Sequence, residues 1–271
     1  MPRPPDQSTI DERNAAFWDE LCGTAFARSL GIETVDPDSL RRFDDAYMTF
    51  YPYLSRYLEL DRVRGAQVLE IGLGFGTVGE LLARAGAVYH GVDISPGPVA
   101  MMQQRLAWAG LAGGERIVQG SALALPFEDG TFDRVYSIGC LHHTGDTPKG
   151  VAEVHRVLAP GGRAVVMLYN RQSLRQLAAR THARLSRRRD GDEWLAARYD
   201  ANTAGEAAPV VDYFSRAAVK RMFAEFASVR IDVQNFDDLR RGPLVVPRAR
   251  LLRNVARVAG TDLYIIADKA S

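Results

Sequence analysis

The chain has 271 residues, of which 46% are hydrophobic and 25% are charged, and its formal net charge is +1. This composition predicts a globular protein with a sizeable core, and it excludes a bulk basic field that would attract nucleic acid or an anionic membrane. Two cysteines are too few for a disulfide framework or a zinc site, so we expect no metal. With no long apolar run and no signal-peptide core in the sequence, we expect a cytoplasmic protein without membrane association.

Helical patterns dominate residues 1–60, which we expect to form a lid region ahead of the main domain. Proline and polar residues at the start bury little, so the first helix is predicted to begin near Ser8. A second helical stretch has Asp38 or Ser39 as its predicted N-cap, and Pro52 is expected to kink or divide it. Aromatic residues crowd this second stretch, which favours packing against another part of the protein.

Residues 61–271 are expected to form the main domain, because strand-like runs there alternate with helical stretches. The predicted strands are "QVLEIG", "VYHGVDIS", "ERIVQGS", part of "TFDRVYSIGCL", and "RAVVMLYN". Glycine or proline closes the intervening helices, as in "VGELLARAG" and "RVLAPGG". Repeated strand–helix units predict a parallel sheet with helices on both faces, which defines an α/β protein.

The alternation stops after Asn170, and residues 171–212 are predicted to form an insertion. Its first part, Arg171–Arg189, is a predicted helix with arginines near i, i+4 spacing. One interpretation is a solvated helix face, and the other is an arm for an anionic or carrier-bound molecule. The rest of the chain predicts a helix and a strand, a loop and helix over 240–260, and a closing strand, "TDLYIIAD".

The stretch "VLEIGLGFGTVGELL" contains two overlapping glycine motifs. Gly72, Gly74 and Gly76 form G-x-G-x-G, whereas Gly74, Gly76 and Gly79 form the dinucleotide pattern G-x-G-x-x-G. Either motif places bare backbone at the start of a helix, where a ligand can approach closely. Asp93 ends the second strand at a spacing that suits ribose recognition in both cases, so spacing alone leaves the cofactor open.

Motifs further along the chain decide between the two cofactors. "EIGLGFG", "GVDIS", "GSALALPFEDGTFDRVYSIGCLHHT" and "RVLAPGG" follow one another at the spacing of class I S-adenosylmethionine (SAM)-dependent methyltransferases. The sequence most resembles their small-molecule members of the ubiquinone/menaquinone and natural-product type. This resemblance is dense over residues 68–170 and weaker over 213–269. It implies SAM as the cofactor and a Rossmann-like seven-stranded sheet in the order 3-2-1-4-5-7-6, with an antiparallel last strand.

The same resemblance assigns the cofactor-binding residues. They are Glu70, Gly72, Gly74, Gly76, Asp93, Ile94, Ser121, Ala122 and Gly139. The glycines would expose backbone to the methionyl end of SAM, Asp93 would accept the ribose hydroxyls, and Ile94 would pack on the adenine. Ser121 departs from the family pattern, which often has an acid at this place to bind the adenine amine.

Two adjacent histidines follow the predicted fourth strand in "CLHHT". His142 and His143 are candidate general bases, because imidazole accepts a proton near neutral pH. A role in holding the loop through hydrogen bonds is the alternative. The resemblance and the sheet edge also suggest a set of acceptor-binding residues, namely Tyr47, Tyr51, Tyr169 and Asn170.

The leading hypothesis is therefore methyl transfer from SAM to a small molecule of secondary or specialised metabolism. An oxygen or carbon acceptor is favoured over nitrogen, because the site offers imidazoles. The Asn-Pro-Pro-Tyr type of motif used on nucleic-acid and protein amines does not follow the fourth strand, which argues against a nucleic-acid partner. Two alternatives remain, namely an NAD(P)-dependent oxidoreductase that uses the second glycine motif and a SAM-binding protein without activity.

Overall fold

Four helices precede the central sheet in the computed structural model, which describes residues 6–20, 25–185, 200–202, 204–241 and 244–271. They are α1 (Gln7–Trp18), α2 (Ala25–Ser29), α3 (Pro37–Phe50) and α4 (Leu54–Leu58). Because α3 ends at Phe50 and α4 begins at Leu54, Pro52 divides the second helical stretch as predicted.

The N-cap of α3 lies upstream of the predicted position. Asp36 accepts hydrogen bonds from the backbone amides of Asp38 and Ser39, each at 2.8 Å. The Ser39 hydroxyl oxygen in turn accepts from the Asp36 amide at 2.9 Å, which completes a capping box. The predicted cap at Asp38 or Ser39 is wrong, because Pro37 occupies the first helical position and leaves the cap to the residue before it.

The described residues form ten strands. They are β1 (Gln67–Ile71), β2 (Val88–Asp93), β3 (Ile117–Gln119), β4 (Phe132–Ile138), β5 (Leu158–Asn170), β6 (Tyr213–Phe214), β7 (Ser228–Gln234), β8 (Leu239–Arg241), β9 (Leu244–Val246) and β10 (Asp262–Asp268). The main sheet has the order β3-β2-β1-β4-β5-β10-β7, and β10 runs antiparallel to both of its neighbours. The order 3-2-1-4-5-7-6 that was predicted for seven strands is confirmed. Strand β7 takes the place of the sixth strand in that order, β10 takes the place of the seventh, and the short β6 is an additional strand beside β5.

Seven more helices follow within the described part of the chain. They are α5 (Thr77–Arg84), α6 (Pro96–Trp108), α7 (Thr147–Val157), α8 (Leu174–Leu185), α9 (Arg216–Met222), α10 (Arg248–Leu251) and α11 (Ala256–Ala259). Consecutive strand residues pack into different buried clusters: Leu69 and Val135 lie in one, and Val68 and Tyr136 lie in the other. Since strand side chains alternate between the two faces, the sheet is covered on both sides, as an α/β fold requires.

The second half of the chain differs from the sequence prediction in two places. Short strand β6 extends the sheet beside the end of β5, and the β8–β9 hairpin lies in a segment predicted as a loop and helix. Helix α8 is described from Leu174 to Leu185, and the last residues of the predicted basic helix, 187–189, lie outside the described residues. None of the described helices is both long and apolar enough to cross a lipid bilayer.

Candidate active site

A cavity of about 390 Å³ lies at the carboxyl ends of β1, β2, β4 and β5. Open α/β sheets bind their ligands at this edge. One side, which we call the loop wall, consists of residues 70–76, 93–94, 121–122 and 139, so every predicted cofactor-binding residue lines the cavity. A second group, which we call the aromatic wall, consists of Trp18, Tyr47, Tyr51, His143, Tyr169 and Asp200.

The glycine loop after β1 supplies the bare backbone of the loop wall. Gly72 has φ +83°, and a Cβ built there would lie 2.5 Å from the Cβ of Cys140. Gly74 has φ +49°, and a Cβ there would meet no protein atom within 4 Å. Gly72 is therefore required by packing against the end of β4, whereas Gly74 leaves open space at the cavity for a ligand.

Asp93 connects the end of β2 to the glycine loop. Its Oδ2 accepts a hydrogen bond from the Leu73 amide at 2.8 Å, and its Oδ1 accepts from the Ser95 amide at 2.9 Å. Burial raises the pKa of Asp93, and the backbone hydrogen bonds oppose that shift. Asp93 also lines the cavity, so its carboxylate is in a position to accept the hydroxyls of a ribose there.

Glu70 and Tyr89 form a buried pair behind the loop. The Tyr89 hydroxyl donates to Glu70 Oε2 at 2.5 Å, and burial raises the pKa of Glu70 to about 8. A Cβ on Gly79 would lie 2.7 Å from the same oxygen. Gly79 therefore makes room for this pair and does not line the cavity, so the third glycine of the dinucleotide pattern has a packing role.

Helix α3 packs its aromatic residues directly on the glycine loop. Phe43 stacks on Phe75, which lies between two loop glycines, with ring centroids 4.0 Å apart and an interplanar angle of 9°. Tyr47 stacks on Phe43 at 5.8 Å, and Tyr51 lies 4.8 Å beyond Tyr47. Burial is the main cause that raises the pKa of Tyr47. Both tyrosines line the cavity as neutral phenols, and their contact with an acceptor stays a prediction.

The buried Arg105 connects α3 to the glycine loop after β1. It was not among the residues predicted from the sequence. Arg105 on α6 is 1% exposed; its guanidinium pairs with Asp44 of α3 and, at 2.5 Å, with Glu80 of α5. It also donates to the Phe75 carbonyl at 2.7 Å, while Thr77 donates its hydroxyl to Asp44 at 2.6 Å. Nothing in the local sequence marks Arg105, because its partners come from two other helices.

Helix α1 brings a carboxylate to the position where Ser121 departs from the family pattern. Asp11 lines the cavity, and its Oδ2 lies 3.4 Å from the Ser121 hydroxyl, which donates to it. Gln7 holds α1 in place, since its side-chain amide donates to Asp11 Oδ1 at 2.7 Å and to the Thr144 carbonyl at 2.8 Å. The cavity therefore has an acid beside Ser121 that comes from the N-terminal helix.

The environment of His143 determines which of its nitrogens can accept a proton. Nδ1 lies 2.8 Å from the Val210 carbonyl oxygen. Because a carbonyl oxygen only accepts, Nδ1 carries a proton, and in the neutral imidazole Nε2 is the nitrogen with the lone pair. The ring also contacts Trp18 at 4.8 Å, and the Asn14 side chain donates to the His143 carbonyl at 2.7 Å. His143 is thus held in place on the cavity wall, and its neutral form would accept a proton at Nε2.

His142 and Asn170 lie outside the cavity lining. His142 is fully buried and packs on Tyr169 at 4.0 Å; burial, followed by the charge of His143, holds its pKa well below the usual range. Asn170 caps the turn after β5, donating to the Gly260 carbonyl at 2.7 Å and accepting from the Gln172 amide at 2.9 Å. His142 therefore contacts a residue that lines the cavity, Tyr169, and neither His142 nor Asn170 reaches the cavity itself.

Three arginines of the insertion that the structure describes also lie outside the cavity lining. Arg171, Arg175 and Arg180 do not line the cavity, and Arg175 pairs with Asp237. Among the described lining residues there is no arginine or lysine. The interpretation of this helix as an arm for an anionic molecule therefore finds no support in the cavity that the described residues form.

Comparison with known proteins agrees with this geometry. Residues 69–166 match the methyltransferase domain family. The sterol 4-C-methyltransferase strm-1 of Caenorhabditis elegans is 32% identical over 126 residues, which are 46% of this chain and 37% of that protein. The ubiquinone/menaquinone biosynthesis C-methyltransferase UbiE of Geobacter sulfurreducens is 35% identical over 109 residues, 39% of this chain and 43% of that protein.

A solved structure extends the likeness to the whole fold. Phosphoethanolamine N-methyltransferase 2 of Haemonchus contortus, in complex with phosphomonomethylethanolamine and S-adenosylhomocysteine, has a TM-score of 0.60 at 17% identity. The likeness covers 100% of this chain and 62% of that one. With the confirmed strand order and the matched motifs, residues 69–166 form a class I SAM-dependent methyltransferase domain. The cofactor of this class is SAM.

Proposed function

We propose that the protein transfers the methyl group of SAM to a small-molecule acceptor, with His143 as the general base. The observation that carries this proposal is the 2.8 Å contact between His143 Nδ1 and the Val210 carbonyl. In the neutral imidazole this contact makes Nε2 the proton acceptor, and His143 lines the same cavity as the glycine loop. His142 is less suited to this role, because it is fully buried and does not line the cavity.

Three features of the loop wall support the binding of SAM. The open space at Gly74 would hold the methionyl end, Asp93 would accept the ribose hydroxyls, and Ile94, which lines the cavity beside Asp93, would contact the adenine. Asp11 and Ser121 together would accept the adenine amine, which supplies the acid that the sequence lacks at position 121. When bound, SAM supplies a methyl group already activated by its sulfonium.

The protein itself would position the acceptor and remove its proton. The aromatic wall would hold the acceptor and exclude water, with Tyr47, Tyr51 and Tyr169 in contact with it. An oxygen or an enolisable carbon gains most from a base such as His143, because it must lose a proton to react. An oxygen or carbon acceptor of specialised metabolism is therefore the proposed substrate class, and some relatives carry the names of sterol and quinone methylases.

Calorimetric titration tests the cofactor assignment. SAM and S-adenosylhomocysteine are expected to bind the wild type, and Asp93→Ala is expected to lose about 1.5–3 kcal/mol of that binding, the range for hydrogen bonds to a charged group. Asp61→Ala, at an exposed position, serves as the control. Binding of NADPH in place of SAM would contradict the proposal and support the oxidoreductase alternative.

Transfer itself is tested with methyl-labelled SAM and a panel of phenols, enolisable diketones and amines. We expect labelled product from a phenol or a diketone, and its loss in His143→Ala. Product formed only from amines would overturn the preference for oxygen or carbon. Tight SAM binding without transfer to any member of a broad panel would favour the non-catalytic alternative.

A further inference from the structure

Asp200 is a cavity residue whose backbone is fixed by its own loop. Its carbonyl accepts from the Ala208 amide at 2.7 Å, and Ala201 pairs with Ala207 in an antiparallel bridge. The Asn202 side chain ties the same loop together, donating to Glu206 Oε2 at 2.9 Å. The side chain of Asp200 is therefore presented to the cavity by a closed loop.

The two oxygens of this carboxylate have different surroundings. Oδ1 accepts a hydrogen bond from the Tyr169 hydroxyl at 2.9 Å. Oδ2 is buried and has no hydrogen-bond partner among the described residues. Buried polar atoms are nearly always paired, and a buried carboxylate oxygen without a donor is costly. Because Asp200 lines the cavity, a bound molecule is in a position to supply the missing donor.

The rest of the aromatic wall indicates what kind of donor fits. Aromatic faces attract cations through their ring quadrupole, and the cavity presents several such side chains in addition to Tyr169, namely Trp18, Tyr47 and Tyr51. The acids that line the cavity outside the loop wall are Asp11, Glu20 and Asp200. No arginine or lysine occurs among the described lining residues. This environment favours a cation over an anion.

We propose that Asp200 is a specificity-determining residue that binds a protonated amine of the acceptor through its Oδ2. This inference rests on the proposed methyl transfer and names the chemistry of its substrate. A protonated nitrogen has no lone pair, so this amine is a recognition group and the methyl group goes to another atom of the acceptor. Tyr169 positions the carboxylate by holding Oδ1.

Three probes of matched shape test the proposal on protein saturated with S-adenosylhomocysteine: phenethylamine, phenethyl alcohol and phenylacetate. Calorimetry or ligand-observed NMR measures their affinities for the wild type, Asp200→Asn and the control Glu33→Gln, which removes an exposed acid outside this loop. We expect the amine to bind the wild type about tenfold more tightly than the alcohol, and phenylacetate to bind most weakly. Asp200→Asn is expected to remove the preference for the amine, whereas Glu33→Gln keeps it.

Equal affinities of amine and alcohol for the wild type, including the case in which neither binds, would overturn the proposal, and this comparison does not depend on any variant folding. An unchanged amine preference in a folded Asp200→Asn would do the same. The titration with S-adenosylhomocysteine distinguishes a failure of the proposed methyl transfer from a failure of the role of Asp200. If that titration shows no binding, the proposed methyl transfer fails; if it shows binding without an amine preference, only the role of Asp200 fails.

Discussion

The loop wall and the aromatic wall of the cavity are built in different ways. The loop wall uses backbone and one strand-end carboxylate, and all of its residues lie between 70 and 139. The aromatic wall uses side chains from α1, α3, the turn after β4, the end of β5 and the loop at Asp200. A surface made of backbone suits a ligand that is common to a whole family, whereas a surface made of side chains from separate segments can be changed one residue at a time. The first wall therefore defines the class of reaction, and the second defines the acceptor.

The largest effect is expected at His143, the proposed general base in the aromatic wall. His143→Ala is expected to lower turnover by ~10²–10⁴-fold, because proton removal belongs to the transition state. The affinity for S-adenosylhomocysteine should change by less than about twofold, since the loop wall is untouched. Single-turnover transfer and calorimetry measure the two quantities, with His155→Ala as a control outside the cavity. A variant that keeps most of its rate would make His143 part of the scaffold.

The attachment of α3 to the glycine loop is expected to depend on Arg105. Arg105→Ala removes a buried cation from Asp44 and Glu80, and we expect it to lower the free energy of unfolding by about 3–5 kcal/mol. Arg41→Ala breaks only a pair in which both side chains are more than 70% exposed and should cost less than about 1 kcal/mol. Denaturant unfolding of both variants provides the measurement. Equal losses would show that α3 is held by its aromatic contacts alone.

Substitutions of two glycines in the loop wall are expected to have different effects, one on stability and the other on ligand binding. Gly72→Ala should destabilise the protein by about 2 kcal/mol or more, because its φ is positive and its Cβ would overlap with Cys140. Gly74→Ala should cost only about 1 kcal/mol of stability, yet weaken S-adenosylhomocysteine at least about tenfold by filling the open space. Thermal unfolding and calorimetry distinguish the two outcomes. Normal binding by Gly74→Ala would mean that the ligand does not contact the loop there.

The smallest expected effect concerns the pH dependence conferred by Glu70. Its pKa is about 8 in the folded protein, against 4.5 for an ordinary glutamate, so the folded state holds a proton that the unfolded state has lost. Stability should therefore fall as pH rises through this window. Relative to the wild type, Glu70→Gln should gain about 1 kcal/mol or more in free energy of unfolding between about pH 5 and about pH 8. Glu115→Gln, at an exposed position, should show no such gain; a parallel pair of pH profiles for Glu70→Gln and the wild type would contradict the assignment.

Much of the loop wall could be predicted because its signals are local. Gly72, Gly74 and Asp93 lie within one strand–helix–strand unit, where the turn conformation and the strand end restrict the residue types. The hairpin β8–β9 was not predicted, although the Gly-Pro dipeptide at 242–243 is a turn signal in the sequence. The predicted cap of α3 lies two or three residues after the observed one, because Pro37 occupies the first helical position and leaves the cap to Asp36.

The sequence alone determined the strand–helix alternation, the glycine loop and the acid at the end of β2, because periodic patterns and turn residues reflect local geometry. The sheet order was implied by the resemblance of its motifs to a known family. Only the tertiary structure decided that Asp11 lies beside Ser121, that Asp200 lies in the cavity, and that His143 rather than His142 lines it. It also decided which nitrogen of His143 carries the proton, through a carbonyl 67 residues away. These features depend on distances of a few ångströms between segments far apart in the chain, and no local pattern encodes such distances.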